Sequence, residues 1–146
     1  MAQLDLLDAQ IDLRTRNAAL LLDALKDVEG IHWQQVPEAV NRNCWYLVLG
    51  QVDANVLGAT RNAFCEALGQ QGIPVTPVYP HTLFQNPLYQ RIPCRVMQCP
   101  VAEACVEDAF WMLHRVLLGD ESTTLAIADG IRKAVQQAQS RSTVVA

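Results

Sequence analysis

The stretch from Ala2 to Leu25 constrains this chain most, because it reads as one long helix carrying two apolar stripes. Leu4, Leu7, Ile11, Ala18, Leu22 and Leu25 recur at gaps of three, four or seven, which is a single helical face. Leu6, Leu13 and Leu20 are seven apart, and at ~100° per residue they fall roughly opposite the first face. A helix that covers one small core needs only one stripe. Two stripes predict a helix clamped between two bodies, with Leu6, Leu13 and Leu20 as an interface. The alternative is that the ends of the same domain wrap both sides. Gly30 stops this helix after a short exit.

The rest of the chain alternates short apolar runs with helical stretches. Cys44 to Val52 is continuous, aromatic and rich in strand formers, which predicts a strand buried on both faces. Asn55 to about Gln70 is a second helix with Leu57, Thr60, Phe64, Ala67 and Leu68 on one side. Gly72-Ile73-Pro74 ends it, and a short strand from Val75 to Tyr79 follows. Pro80 to Pro100 has no periodicity and reads as a long ordered loop. Loops of that length are usually functional or disordered, and Leu83, Phe84, Leu88, Tyr89 and Ile92 argue that this one packs. Cys99-Pro100 starts a short helix to about Ala109. Phe110 to Leu118 is a strand or extended segment, and Asp120 or Ser122 caps a last helix with Leu125, Ala128, Ile131, Val135 and Ala138 as its stripe. The pattern predicts an α+β fold, a sheet of three or four strands with helices mainly on one face.

With 146 residues, 51% of them apolar and 18% charged, the chain suits one globular domain. That domain is expected over residues 1–140, with 141–146 as a fraying tail. A net charge of −4 argues against a nucleic-acid partner, which needs clustered cations for phosphates. No apolar run approaches the ~20 residues that cross a bilayer. The N-terminus carries Asp5 where a secretory signal carries bases. The five cysteines are an odd number, so a reducing cytoplasm fits best.

Cys94, Cys99 and Cys105 lack the C-x2-C spacing of structural zinc sites, so no metal is expected. A thiol enzyme would need a cysteine beside one of His32, His81 or His114, and no motif surrounds any cysteine. No phosphate-cradling glycine loop is present. Tyr79, His81, Tyr89 and His114 are either amphipathic residues of a packed loop and core rim or contacts to a ligand.

The order and spacing of several segments resemble a known family. They are Arg16-Asn17-Ala18-Ala19-Leu20, Arg61 to Leu68, Gln71-Gly72-Ile73-Pro74-Val75, Val78-Tyr79-Pro80 with Asn86-Pro87-Leu88-Tyr89, Cys99-Pro100-Val101-Ala102-Glu103, and His114-Arg115-Val116-Leu117-Leu118-Gly119. From about Ala2 to Ala138 the chain resembles the C-terminal small domain of DegT/StrS-type sugar aminotransferases, and its ending is most similar to the cyclitol branch. These enzymes have the aspartate-aminotransferase fold and use pyridoxal phosphate (PLP).

The resemblance implies several things. The PLP-binding domain and its Schiff-base lysine belong to the part of the family that this chain does not match. The two lysines here, Lys26 and Lys133, lack the family's Ser-x-x-Lys-type context, so no PLP site is expected in this chain and it should not transaminate alone. The second stripe of the first helix would face the PLP-binding large domain, or a second copy if left uncovered. A surviving substrate site would join Tyr79, His81, Tyr89 and His114, with His32 outside it. The family's loop histidine falls where this chain has Leu83, which leaves the register of the loop open. Two other classes stay in view: a stand-alone module for a sugar-like ligand, and a small cysteine–histidine enzyme of unrelated chemistry.

Overall fold

The computed structural model describes residues 4–93 and 95–145, the side chains of 142–145 excepted. The expected helix start at Ala2, and Cys94, lie outside the described residues. The first helix, α1, runs Leu7–Ala24. Its inward face is Ile11, Arg14, Asn17, Ala18 and Leu21, with Leu25 just beyond the last turn. The predicted stripe is therefore shifted: Leu4 and Leu7 are exposed, Leu22 is half-buried, and two polar residues sit in the row instead. Asn17 is tolerated there because its Nδ2 donates to the carbonyls of Leu117 and Gly119, at 2.9 and 2.8 Å. Of the second stripe, Leu6 is exposed and Leu13 and Leu20 are half-buried, and none of the three belongs to the core.

Four strands form one antiparallel sheet in the order β1-β2-β4-β3. They are β1 (Ile31–Trp33), β2 (Leu47–Val52), β3 (Thr76–Pro77) and β4 (Ala109–Leu113). The expected strand from Cys44 begins only at Leu47. Just before it, Trp45 adopts φ +48°, a left-handed conformation that interrupts extended chain. The expectation that β2 is buried on both faces also fails. Val48, Gly50 and Val52 are buried, while Leu47 and Gln51 are half-buried and Leu49 is exposed. α1, α3 and α5 cover one face of the sheet while α4 only walls the other, so burial alternates along the strand. β1, three residues long, is too short to leave a periodic signal in the sequence.

The predicted second helix is two helices. Asp53 caps α2 (Ala54–Leu57) through the N–H groups of Asn55 and Val56. Gly58 at φ +74° then closes α2, and Thr60 caps α3 (Arg61–Gln70). α4 spans Pro100–Asp108. The expected extended segment at Phe110–Leu118 divides into the end of β4 and a 3-10 turn, His114–Leu117. Asp120 caps α5 (Glu121–Val145), accepting from the Thr123 N–H at 2.8 Å and the Ser122 hydroxyl at 3.0 Å. α5 continues past Ser140 to Val145.

The core lies between α1, α3 and α5 and the inward face of the sheet. Leu21, Leu25, Phe64, Leu68, Phe110, Met112 and Ile131 are all almost fully buried within it. Gly50 is what lets Phe110 lie flat against β2. A Cβ there would stand 2.5 Å from the Phe110 ring and 3.1 Å from Trp33. Phe110 in turn meets Trp33 and Phe64 edge-to-face, at 5.7 and 5.6 Å.

Candidate functional site

The face of the sheet turned away from these helices is a cleft. Pairing puts His32 opposite Gln51 and Gln51 opposite Ala109; one pleat along, Leu49 stands opposite Trp111. These side chains alternate with the core residues of the same strands, so they form the cleft floor. One wall is the segment Val78–Leu83 with Asn86. The other is Ala102, Cys105 and Val106 of α4. The cleft has a volume of about 1020 Å³ and is open to solvent.

Local bonding holds the floor and walls. Gln34 N–H donates to the Leu49 carbonyl at 3.0 Å, and Leu49 N–H donates to Gln34 Oε1 at 2.7 Å. Val78 N–H donates to the Ala109 carbonyl at 3.1 Å, which prolongs the β3–β4 edge into the wall. The Tyr79 ring stands perpendicular to Trp111 at 5.2 Å. Thr82 N–H donates to Gln85 Oε1 at 3.0 Å, turning the chain back over the sheet. α4 buries none of its residues fully and is held at its C-terminal end by Arg61, whose Nη1 donates to the carbonyls of Val106 and Ala109, at 3.1 and 2.7 Å.

Among the described residues the lining contains no Asp, Glu, Lys or Arg. Its polar side chains are His32, Gln34, Gln51, Tyr79, His81, Thr82 and Asn86. Lys26 lies outside it, exposed and paired with Asp23 at 3.0 Å. The hydrogen bond that its Nζ donates to the Asp23 carboxylate raises the Lys26 pKa, opposite to the depression that a nucleophilic lysine needs. Lys133 is exposed on α5.

Among the described residues no cysteine is held beside an activating group by a hydrogen bond to a histidine. Cys65 is in the core, and burial pushes its thiol up to about 11, against a small pull downward from Arg61. Cys105 lines the cleft, and no hydrogen bond joins it to a histidine among the described residues. Those residues also contain no group of three or more His, Cys, Asp or Glu placed to hold a metal.

The four residues expected to form one site divide. Tyr79 and His81 line the cleft together, and Leu83 lines it as well. Tyr89 is in a separate 3-10 turn, Tyr89–Arg91, and does not line it. His114 also lies outside. It follows the end of β4, stacks on Tyr46 at 5.7 Å and donates its N–H to the Tyr46 carbonyl. Its Nδ1 is buried with no hydrogen-bond partner among the described residues. His32, expected outside, is on the floor. Its pairing with Gln51 across a three-residue strand left no trace in the sequence, although the alternation of Leu47, Leu49 and Gln51 against Val48, Gly50 and Val52 does mark the second face of β2.

Comparison with known proteins adds the following. A sequence model of the DegT/DnrJ/EryC1/StrS aminotransferase family matches residues 1–130. The 3-amino-5-hydroxybenzoate synthase of Amycolatopsis mediterranei (strain S699) is 27% identical over 144 residues, covering 94% of this chain and 37% of its own length. The L-glutamine:2-deoxy-scyllo-inosose aminotransferase of Streptomyces paromomycinus is 31% identical over 157 residues, covering 92% and 35%. The crystal structure of 3-amino-5-hydroxybenzoic acid synthase superposes with a TM-score of 0.81 at 27% identity, over 93% of this chain and 37% of that one. DesI in the presence of its TDP-sugar product shares the fold at a TM-score of 0.77 and 18% identity, over 98% and 36%. The chain thus spans little more than a third of the length of the relatives it matches.

Proposed function

Because the chain belongs to the DegT/DnrJ/EryC1/StrS aminotransferase family, we propose that it serves as the C-terminal small domain of a PLP-dependent sugar or cyclitol aminotransferase, with its open sheet face toward the substrate. The observation that carries this reading is the cleft itself: an uncovered sheet face walled by the Val78–Leu83 segment and lined by hydrogen-bonding side chains, among them Gln51, Tyr79 and His81. PLP does not fit these residues. Its phosphate needs a cationic or N–H-rich cup, its pyridine nitrogen an acid, and its aldehyde a lysine, and the cleft lining offers no Lys, Arg, Asp or Glu. In this reading the cofactor site is built by residues outside these 146, and this chain contributes substrate contacts only.

The contacts are assigned to Tyr79 and His81, to which His32 is added. Tyr89 and His114 lie outside the cleft and drop from the set. Leu6, Leu13 and Leu20, left out of the core, are assigned to the contact with a PLP-binding domain or a second copy of the chain. The described cysteines, Cys44, Cys65, Cys99 and Cys105, are all free thiols, which supports a reducing compartment, the cytoplasm. The purified chain is incubated with PLP, reduced with borohydride and mapped by mass spectrometry, in parallel with an amino-transfer assay. The expected result is no turnover and no stoichiometric adduct. A stoichiometric adduct at Lys26 or Lys133 accompanied by turnover would overturn the reading.

A further inference from the structure

We infer that the head of Arg14 is a recognition site for a carboxylate carried on an apolar surface, that of the PLP-binding body which the proposed function sets against α1. The inference rests on that reading only for the second body. Among the described residues none of α1 lines the cleft, so the site is separate from it.

Arg14 is 7% exposed and is the only charged side chain among the buried described residues. Its Nε donates to the Gln10 carbonyl at 3.2 Å, four residues back in the same helix. Among the described residues no carboxylate lies within ion-pairing distance of it, and Asp8 and Asp12 of the same helix are held by Arg42. Other guanidiniums are committed: Arg61 donates to the carbonyls of Val106 and Ala109, and Arg132 to that of Ala24. The buried unpaired side-chain atoms of the described residues are Trp33 Nε1, Thr82 Oγ1 and His114 Nδ1. The Nη groups of Arg14 are not among them, so an enclosed stem ends in a head that touches the surface.

That surface is apolar. The row to which Arg14 belongs loses its cover toward the N-terminus: Ala18 is 0% exposed, Ile11 9%, Leu7 41% and Leu4, in the turn before the helix, 68%. The bond to Gln10 draws the stem toward that end. The head therefore stands between a sealed core and an open apolar edge. A cation so placed has lost hydration and has no counter-charge from its own domain, which is unfavourable. A carboxylate matches the planar fork with two parallel bonds. An inorganic anion would supply the charge and leave Leu4 and Leu7 in water. A carboxylate set among apolar groups neutralises the head and covers the leucines together.

The test separates the charge from the apolar cover. The 146-residue chain is titrated with acetate, hexanoate and inorganic phosphate at constant ionic strength and about pH 6, where both carboxylates are ionised. The readout is the Arg14 Nε–Hε NMR signal, assigned by its loss in Arg14→Met. Acetate should shift it saturably. Hexanoate should bind at least about tenfold more tightly, because its added methylenes reach Leu7. Leu7→Ser should remove that gain and leave acetate binding within about twofold. Without any probe, Arg14→Met should raise the urea midpoint, since it replaces an uncompensated charge by an apolar stem. An Arg14 signal that neither carboxylate moves would overturn the site. Phosphate binding about tenfold tighter than acetate would overturn the carboxylate as its ligand. A folded Arg14→Met chain with a lower midpoint would overturn it as well, because the guanidinium would then act within its own chain. A dimer that Arg14→Met dissociates in sedimentation would assign the carboxylate to a second copy and overturn the PLP-binding body as its carrier. None of these results bears on the cleft, which fails instead on PLP adduct formation with turnover.

Discussion

Asn17→Ala is expected to cost this small domain a large share of its stability. Asn17 is fully buried, and its Nδ2 bridges the carbonyls of Leu117 and Gly119, 100 and 102 residues away in sequence. The bridge ties α1 to the turn that delivers the chain from β4 into α5. Each hydrogen bond contributes about 0.5–1.5 kcal/mol net. Alanine also leaves the Leu117 carbonyl without its partner in a fully buried environment, at about 1–3 kcal/mol. The two effects overlap, so the sum is about 2–4 kcal/mol. For a domain of this size that lowers Tm by roughly 5–15 °C. Asn17→Asp should be at least as damaging, because it faces two carbonyls with acceptors only. Urea unfolding followed by tryptophan fluorescence and by circular dichroism measures the change, with the m-value expected to stay constant. Thr15→Ala is the control, since its hydroxyl makes only a 3.5 Å exposed contact to Asn43 and should change stability by less than about 0.5 kcal/mol. An Asn17→Ala loss below about 1 kcal/mol at unchanged m would refute the reasoning, because it would mean that solvent replaces the amide at no cost.

Gly50→Ala should destabilise by about 1–3 kcal/mol, since its methyl collides with a Phe110 ring pinned between Trp33 and Phe64, less about 0.5–1 kcal/mol recovered from the unfolded chain; a rise in Tm would contradict this. Cys65 should react with a thiol reagent at pH 8 far more slowly than exposed Cys44 and Cys99, and equal rates would contradict its buried, raised pKa. The same group sets a pH dependence. Its folded pKa of about 11 lies above the unfolded value near 9, so the unfolded state releases the proton first. Stability should therefore fall as pH rises from about 9 to 11, and Cys65→Ala should flatten that slope in urea titrations. Leu13→Asp should weaken self-association, because burying Leu6 between bodies is worth at most roughly 1.5–3 kcal/mol before association costs, and the half-buried Leu13 and Leu20 add less each. Sedimentation showing a monomer at tens of micromolar both before and after the substitution would remove the stripe as a self-interface.

Signals confined to a few residues are legible in the sequence alone. Gly72 at φ +77° ends the turn after α3, Pro100 opens α4 at its first position, and Asp120 caps α5; each acts on backbone groups within four residues of itself. Most of the succession of helices and strands follows from such local signals and from apolar period, β1 and the break between α2 and α3 excepted, and with it the α+β class and a sheet with its helices mainly on one face. The family resemblance rests on the same order of segments.

The site needed contacts that no local pattern encodes. Period two along β2 says that Leu49 and Gln51 share a face, but not that this face is the one the helices leave uncovered. That follows from α1, α3 and α5 packing together on Val48, Val52 and Phe110. His32 joins the floor because β1 pairs with β2 across a connection far longer than a hairpin turn, and His114 leaves the site because it stands one residue beyond the β2–β4 ladder, against Tyr46. Asn17, a polar residue in an apolar row, is favourable in the core only because two carbonyls a hundred residues away come to meet it. Local geometry and solvent partition act on each segment alone. Which surfaces are covered depends on how all the segments pack at once, and the cleft is the surface that this packing leaves open.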